Sequence, residues 1–265
     1  MKKIVDKNKF GPWAIITGAS SGIGEGFARQ LAADGLNLVL VARRHPLLEK
    51  IGISLAKEFG IQYRTIEADL AEESAIEKIT NATDDLDIGL LISNAGTGKV
   101  AKFLSLELEE IKSINQLNAI SHLSLTHYFG RRFLKRGKGG ILLSGAMGAT
   151  DGVPYMSSMA GSKALVLSLG KSLHHEFKNT GIHITVLEIT PTDTAIIPKL
   201  GFQKDKMPMK PLSVEQCVEE GLLALVDNRP SILPGRMYRI MNGLVPGSVK
   251  RNMAGKLFKK NNNIE

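Results

Sequence analysis

Apolar runs of strand length alternate with amphipathic stretches through most of the chain. Residues 13–16, 36–42, 88–92, 140–143 and 182–189 are short and mostly apolar, and the more polar run 62–67 has the same strand length. Between them, residues 25–34, 47–59, 72–82, 106–136 and 157–178 repeat apolar positions at helical spacing. Short apolar runs bounded by turn residues read as buried strands, and the stretches between them as crossover helices. Alternation this regular predicts an α/β fold with a parallel sheet covered on both faces. The stretch 106–136 is expected to break near residues 115–118. Residues 191–211, rich in Lys, Met and Pro, interrupt the pattern and are expected to form a mobile lid. A further helix through Leu225 is predicted to open at Ser213, with Gln216 three residues on in capping-box spacing.

Composition changes this picture little. A chain of 265 residues, 43% hydrophobic and 23% charged, suits a soluble protein with a large core. One domain over residues 1–265 is expected. No run approaches the roughly 20 apolar residues of a membrane span. Residues 1–10 are too polar for a secretory signal, so a cytoplasmic location is expected. Cys217 is the single cysteine and reads as a small buried apolar residue. Ser157 and Ser158 read as caps for the helix that follows them.

Charge adds one feature. The net charge is +8, but aromatic content is only 5% and no basic stripe with recognition context is evident, so no nucleic-acid partner is expected. Lys250, Arg251, Lys256, Lys259 and Lys260 gather near the end instead. Residues 235–260 interleave basic positions with apolar ones such as Met253, Leu257 and Phe258, forming a basic amphipathic segment. Such a segment could cover a substrate pocket, join an oligomer interface or rest on an anionic membrane surface. Packing on its own protein or a sister subunit is the preferred reading. Residues 261–265 are expected to be disordered.

Candidate chemistry starts where the first strand meets Thr17-Gly18-Ala19-Ser20-Ser21-Gly22-Ile23-Gly24. A strand feeding a glycine turn feeding a helix is a phosphate-binding arrangement. Glycines admit the ligand's close approach, and the helix start offers free N–H groups and a partial positive charge. The second strand ends in Ala42, Arg43 and Arg44. An acid at that place would accept from a ribose 2′-hydroxyl, whereas arginines pair with a 2′-phosphate, so NADP(H) is the preferred cofactor. Asp69 and Leu70 follow the third strand, where a side chain can meet adenine, although Leu70 also fits a core position.

These residues, with Asn94-Ala95-Gly96, Asn118 and Ser162-Lys163 in order and spacing, resemble the short-chain dehydrogenase/reductase superfamily over almost the full chain. The resemblance implies a doubly wound Rossmann fold of about seven strands and homodimers or homotetramers. It implies cofactor contacts from Gly18, Ser20, Ser21, Gly22, Ile23, Gly24, Asn94, Ala95, Gly96, Lys163, Thr192 and Thr194. The family's catalytic set is Asn, Ser, Tyr and Lys. Asn118 matches the asparagine and Lys163 the lysine, which lowers the tyrosine pKa and holds the nicotinamide ribose. The tyrosine position, four before Lys163, is Met159, and the serine position is Ala146. Ile189-Thr190 replaces the usual Pro-Gly after the sixth strand. Tyr155 could line the pocket one turn before Met159, and Ser144 is a poor substitute for the serine because it lies deeper in the sheet.

The leading expectation is an NADP(H)-dependent oxidoreductase with a non-standard active site, passing hydride to a small organic substrate such as an imine or activated alkene. The alternatives are a catalytically silent NADP(H)-binding protein or scaffold, and a non-redox cyclase or lyase. The pocket's variable wall is expected from residues 99–103, 151–155 and 196–211.

Overall fold

In a computed structural model, which describes residues 2–264, seven strands form one parallel sheet in the order β3-β2-β1-β4-β5-β6-β7. The elements run α1 (Lys7–Phe10), β1 (Trp13–Thr17), α2 (Gly22–Ala33), β2 (Asn37–Ala42), α3 (His45–Phe59), β3 (Tyr63–Glu67), α4 (Ser74–Asn81) and β4 (Ile88–Ser93). They continue with α5 (Leu108–Asn115), α6 (Ser121–Arg136), β5 (Gly139–Ala146), α7 (Ser157–Glu176), β6 (Ile182–Ile189), α8 (Ile196–Lys199), α9 (Val214–Val226), β7 (Ser231–Ile232), α10 (Arg236–Leu244) and α11 (Gly247–Asn261). The α/β fold with a covered parallel sheet expected from the alternation is present, and its seven strands match the doubly wound fold that the resemblance implies.

Strand side chains point alternately to the two faces, and both faces are buried. Ala14 and Ile16 of β1 enter one core with Leu38, Leu40, Leu90 and Ile92, covered by α2, α3 and α9. Ile15 enters the other with Val39, Val41, Leu91 and Ile141, covered by α4, α6 and α7. Cys217 lies in the first core, and burial pushes its thiol up to about 11, so it behaves as an apolar residue. Leu70 is likewise a core side chain.

Several boundaries differ from the sequence reading, each for a local reason. α2 begins at Gly22 rather than residue 25, because the glycine turn itself forms the helix's first turn despite its poor helix propensity. The expected break near residues 115–118 is a widened π-turn over Gln116–Ile120, and the chain stays helical through it. Neither Ser157 nor Ser158 caps α7: Met156 is the N-cap residue, and the Ser158 hydroxyl accepts from Asn115 Nδ2 at 2.9 Å. Ser213 does cap α9, accepting from Gln216 N at 3.1 Å.

The single amphipathic segment at 235–260 is two helices, separated at Val245-Pro246, where proline cannot continue α10. The described residues after 260 pack against the fold instead of showing the expected disorder. Asn261 ends α11, and Asn262 Nδ2 donates to the Leu200 carbonyl at 3.1 Å. The expectations for Met1 and Glu265 fall outside the described residues.

Helix α7 packs on β5 and β6, closely enough at one glycine to exclude a side chain. Gly170 is buried there, and a β-carbon at that position would overlap the Val186 side chain. Gly170→Ala is expected to destabilise the fold by about 1–3 kcal/mol through overpacking. A thermal melt checks this; an unchanged midpoint would show that α7 can lift off the sheet without cost.

Candidate active site

The sheet order reverses between β1 and β4, and the carboxyl ends of those strands diverge into a crevice of the kind that holds ligands in this architecture. Thr17 spans the crevice: its Oγ1 accepts from Asn94 N at 2.9 Å and Ala95 N at 3.0 Å. Asn94 Nδ2 returns a bond to the Thr17 carbonyl at 3.2 Å. The Ser144 hydroxyl at the end of β5 donates to Asn94 Oδ1 at 3.2 Å. Three strand ends are thus fixed by side chains before any ligand enters.

The glycine turn lies beside that crevice. Gly18 and Gly22 have φ of +69° and +58°, in the left-handed region that glycine alone enters at no steric cost. A β-carbon on Gly24 would overlap the Gly18 carbonyl, so the turn closes only with hydrogen at that place. Ser21 precedes α2 without a side-chain cap bond, which leaves the first amides of the helix open toward an anion. Arg44 reaches from the end of β2 to donate to Ser20 Oγ at 2.9 Å and Ser21 Oγ at 3.0 Å. Arg43 is exposed and pairs with Asp69 at 3.5 Å. Arg43, Ala68, Asp69 and Glu72 border a hollow of about 350 Å³ past the ends of β2 and β3. Thr194 packs its methyl group 3.1 Å from where a Gly22 β-carbon would sit, bringing the segment after β6 onto the turn. Thr192, by contrast, is buried and spends its hydroxyl on the Thr190 carbonyl at 2.8 Å. The Thr190 hydroxyl is buried without a partner.

Deeper in the crevice, Asn118 sits in the π-turn with both ends of its amide committed. Oδ1 accepts from Thr97 N and Nδ2 donates to the Thr97 carbonyl, each at 2.8 Å. Lys163 on α7 is buried and donates from Nζ to the Ser144 carbonyl at 2.6 Å. Gly96 covers both residues: its β-carbon position lies 3.2 Å from Asn118 Oδ1 and 3.3 Å from Lys163 Nζ. Met159 stands one helical turn before Lys163, and its Cγ lies 3.7 Å from the β-carbon position of Gly98, with Met156 and Leu200 alongside. Side chains of Met156, Met159 and Leu200 therefore converge on Gly98. Tyr155 holds a left-handed φ of +65° and its carbonyl accepts from Ala101 N at 2.9 Å. Its hydroxyl has no hydrogen bond to Lys163 or Asn118. Ala146 ends β5 in register with Ile189 of β6.

One member of the site was missed by sequence reasoning. His122, fully buried and one turn after Asn118, lies 3.3 Å from Lys163 Nζ through Nε2. The same Nε2 faces the Ala95 carbonyl at 3.0 Å, and Nδ1 faces Ser93 Oγ at 2.8 Å. A carbonyl only accepts, so this pattern assigns the proton to Nε2 and makes Nδ1 the acceptor from Ser93. The available signal was the i, i+4 spacing from Asn118, which places both on one helix face. Burial, and then the charge of Lys163, hold the imidazole well below its ordinary range. Burial also lowers Lys163 from 10.5 to about 7.

The strand order, the glycine turn and the crevice at the switch point define a doubly wound dinucleotide-binding protein. A family model for short chain dehydrogenases matches residues 12–204, and the chain belongs to that family. It is 26% identical over 218 residues to a 7beta-hydroxysteroid dehydrogenase of Collinsella aerofaciens, covering 81% of this chain and 82% of that one. It is 34% identical over 191 residues to a very-long-chain 3-oxoacyl-CoA reductase of Neurospora crassa, covering 69% of this chain and 58% of that one. Among solved structures it resembles a short-chain dehydrogenase from Sphingobium yanoikuyae in complex with NADPH, with a TM-score of 0.79, 27% identity and 96% of each chain covered. A 7beta-hydroxysteroid dehydrogenase structure shares the fold with a TM-score of 0.86 at 23% identity, over 95% of this chain and 98% of that one. Among the described residues no helix is long and apolar enough to cross a membrane.

The buried lysine makes stability depend on pH. The unfolded chain keeps Lys163 protonated up to 10.5, whereas the folded site releases the proton near 7. Unfolding therefore takes up a proton between those values, and stability rises with pH across that window. Lys163→Met is expected to flatten the rise, measured as the melting temperature from pH 7 to 10.5. A wild-type profile already flat there would mean that the ammonium stays charged inside the fold.

Proposed function

We propose that this short-chain dehydrogenase is an NADP(H)-dependent oxidoreductase whose substrate does not need a tyrosine acid. The observation that carries the cofactor choice is Arg44 clasping Ser20 and Ser21 at the mouth of the glycine turn, with Ala42 rather than an acid ending β2. The open amides of α2 suit a pyrophosphate, and the Arg43 and Arg44 guanidinium groups suit a ribose 2′-phosphate. Asn94, Gly96 and Thr194 border the rest of that path. A nicotinamide cofactor supplies hydride chemistry when bound, and the protein contributes orientation and electrostatics.

The non-standard part rests on Met159 and Ala146, which stand where relatives of this family carry tyrosine and serine. A thioether cannot donate a proton, and a positioned acid or base contributes roughly 10²–10⁴-fold, or about 3–5 kcal/mol. Lys163 and Asn118 remain to clamp the ribose and brace the pocket floor. A substrate already cationic, such as an iminium, or an activated alkene protonated later by solvent fits these groups. The loss of both proton-handling residues also favours a second reading, a silent NADP(H)-binding protein. The relatives named for steroid and long-chain oxoacyl substrates are consistent with an apolar substrate, as is a wall containing Met156, Met159 and Leu200.

Two measurements test this. In calorimetric titrations NADPH is expected to bind at least about tenfold more tightly than NADH, and Arg44→Ala to erase most of the difference. Binding of neither nucleotide would overturn the cofactor assignment. The double variant Met159→Tyr with Ala146→Ser is expected to raise ketone reduction by roughly 10²-fold or more over wild type. Silence of the cofactor-saturated variant across a broad carbonyl panel would favour the second reading.

A further inference from the structure

The two C-terminal helices leave a surface that the rest of the chain does not cover. On α10, Met237, Ile240, Met241 and Leu244 recur at i, i+3, i+4 and i+7 and are all exposed, Leu244 at 76%, while Tyr238 on the opposite side is buried. That spacing makes one continuous apolar stripe, the face a helix ordinarily hides. Beyond Pro246, Val249 and Met253 are exposed one turn apart on α11, and Lys256 and Lys260 continue the same line at i+7 and i+11.

Charge on these helices has one sign. No Asp or Glu occurs between Asn228 and Ile264. Arg239 pairs with Glu220 and Lys250 with Asp151. Arg236, Arg251, Lys256, Lys259 and Lys260 have no ion-pair partner among the described residues. An apolar stripe beside unneutralised cations complements a surface that offers acyl chains beneath anionic headgroups. It does not complement itself. In a two-fold pairing the same patch meets its own copy, which would set these five cations against the same five.

We propose that the outer face of α10 and α11 docks on an anionic lipid bilayer, lying along its surface. The inner side of α11 roofs the cleft: Lys250 pairs with Asp151, Gly255 lies against Pro154, and Phe258 stacks edge-on with Phe202 at 5.0 Å. Docking therefore places the rim of the candidate active site next to lipid, where apolar substrates partition. The surface is independent of the cofactor reading, since none of its residues lines the glycine turn.

The test is flotation of the full-length protein with vesicles of phosphatidylcholine alone or of phosphatidylcholine with phosphatidylglycerol. The protein is expected to float with the anionic vesicles, to ignore the neutral ones and to be released as salt is raised. Met237→Glu with Leu244→Glu is expected to abolish flotation. Reversing Lys256, Lys259 and Lys260 to Glu is expected to weaken it roughly tenfold or more. Both variants change exposed side chains and should keep the wild-type melt and NADPH titration. Failure to float with anionic vesicles, or unchanged flotation of the apolar-stripe variant, would overturn the proposal. So would a wild-type dimer that ignores vesicles and dissociates in that variant, which would assign the face to a second copy.

Discussion

The arrangement depends first on a threonine hydroxyl that ties the end of β1 to the end of β4, two parallel neighbours whose onward helices cover opposite faces of the sheet. Thr17 accepts two backbone N–H bonds from Asn94 and Ala95, and Asn94 answers through its side chain. A parallel sheet whose order reverses must open a crevice at that point, and the crevice would otherwise expose unpaired amides. Here those amides are satisfied within the protein. The glycine turn on one side and the lysine pocket on the other are thereby held at a fixed separation.

The polar interior behind this pin is nearly self-contained. Ser144 bonds Asn94, Lys163 bonds the Ser144 carbonyl, and His122 lies between Lys163, Ala95 and Ser93. Buried polar groups of this kind are stabilising only when each finds a partner. Removing the water around Lys163 favours its neutral form, and the imidazole beside it is held neutral by the same burial. The network thus places an amine that releases its proton near 7 next to Gly96, close to where chemistry is proposed. The apolar side chains of Met156, Met159 and Leu200 gather two residues further along, at Gly98.

Much of this was legible in the chain because the signals were local. The strand runs, the glycine turn and the Ser213 cap each depend on a few adjacent residues, and each is found in place. What escaped depended on contacts distant in sequence. His122 becomes part of the site only because α6 and α7 meet over the end of β4, and its environment cannot be read from its own helix. Ser157 and Ser158 carry capping residue types, yet Asn115 from another helix claims Ser158. The two-residue strand β7 is too short to carry a periodicity at all. The glycine-poor logic of helix propensity hid the first turn of α2, where close approach to Gly18 outweighed conformational entropy. The expectation attached to Met159 and Ala146 came from the resemblance, since no rule of periodicity could have singled those positions out.

The ties of α11 also bear on timing. Lys250 grips the loop at Asp151, while Phe258 and Asn262 grip Phe202 and Leu200 on the opposite wall. With both walls fastened to one rigid rod, the cleft cannot open by swinging a single loop. Widening the cleft requires the Asp151 loop, α11 and the segment of Leu200 and Phe202 to move together, or these contacts to break. A catalytic cycle in such a molecule would carry the cost of that shared motion at every entry and every release.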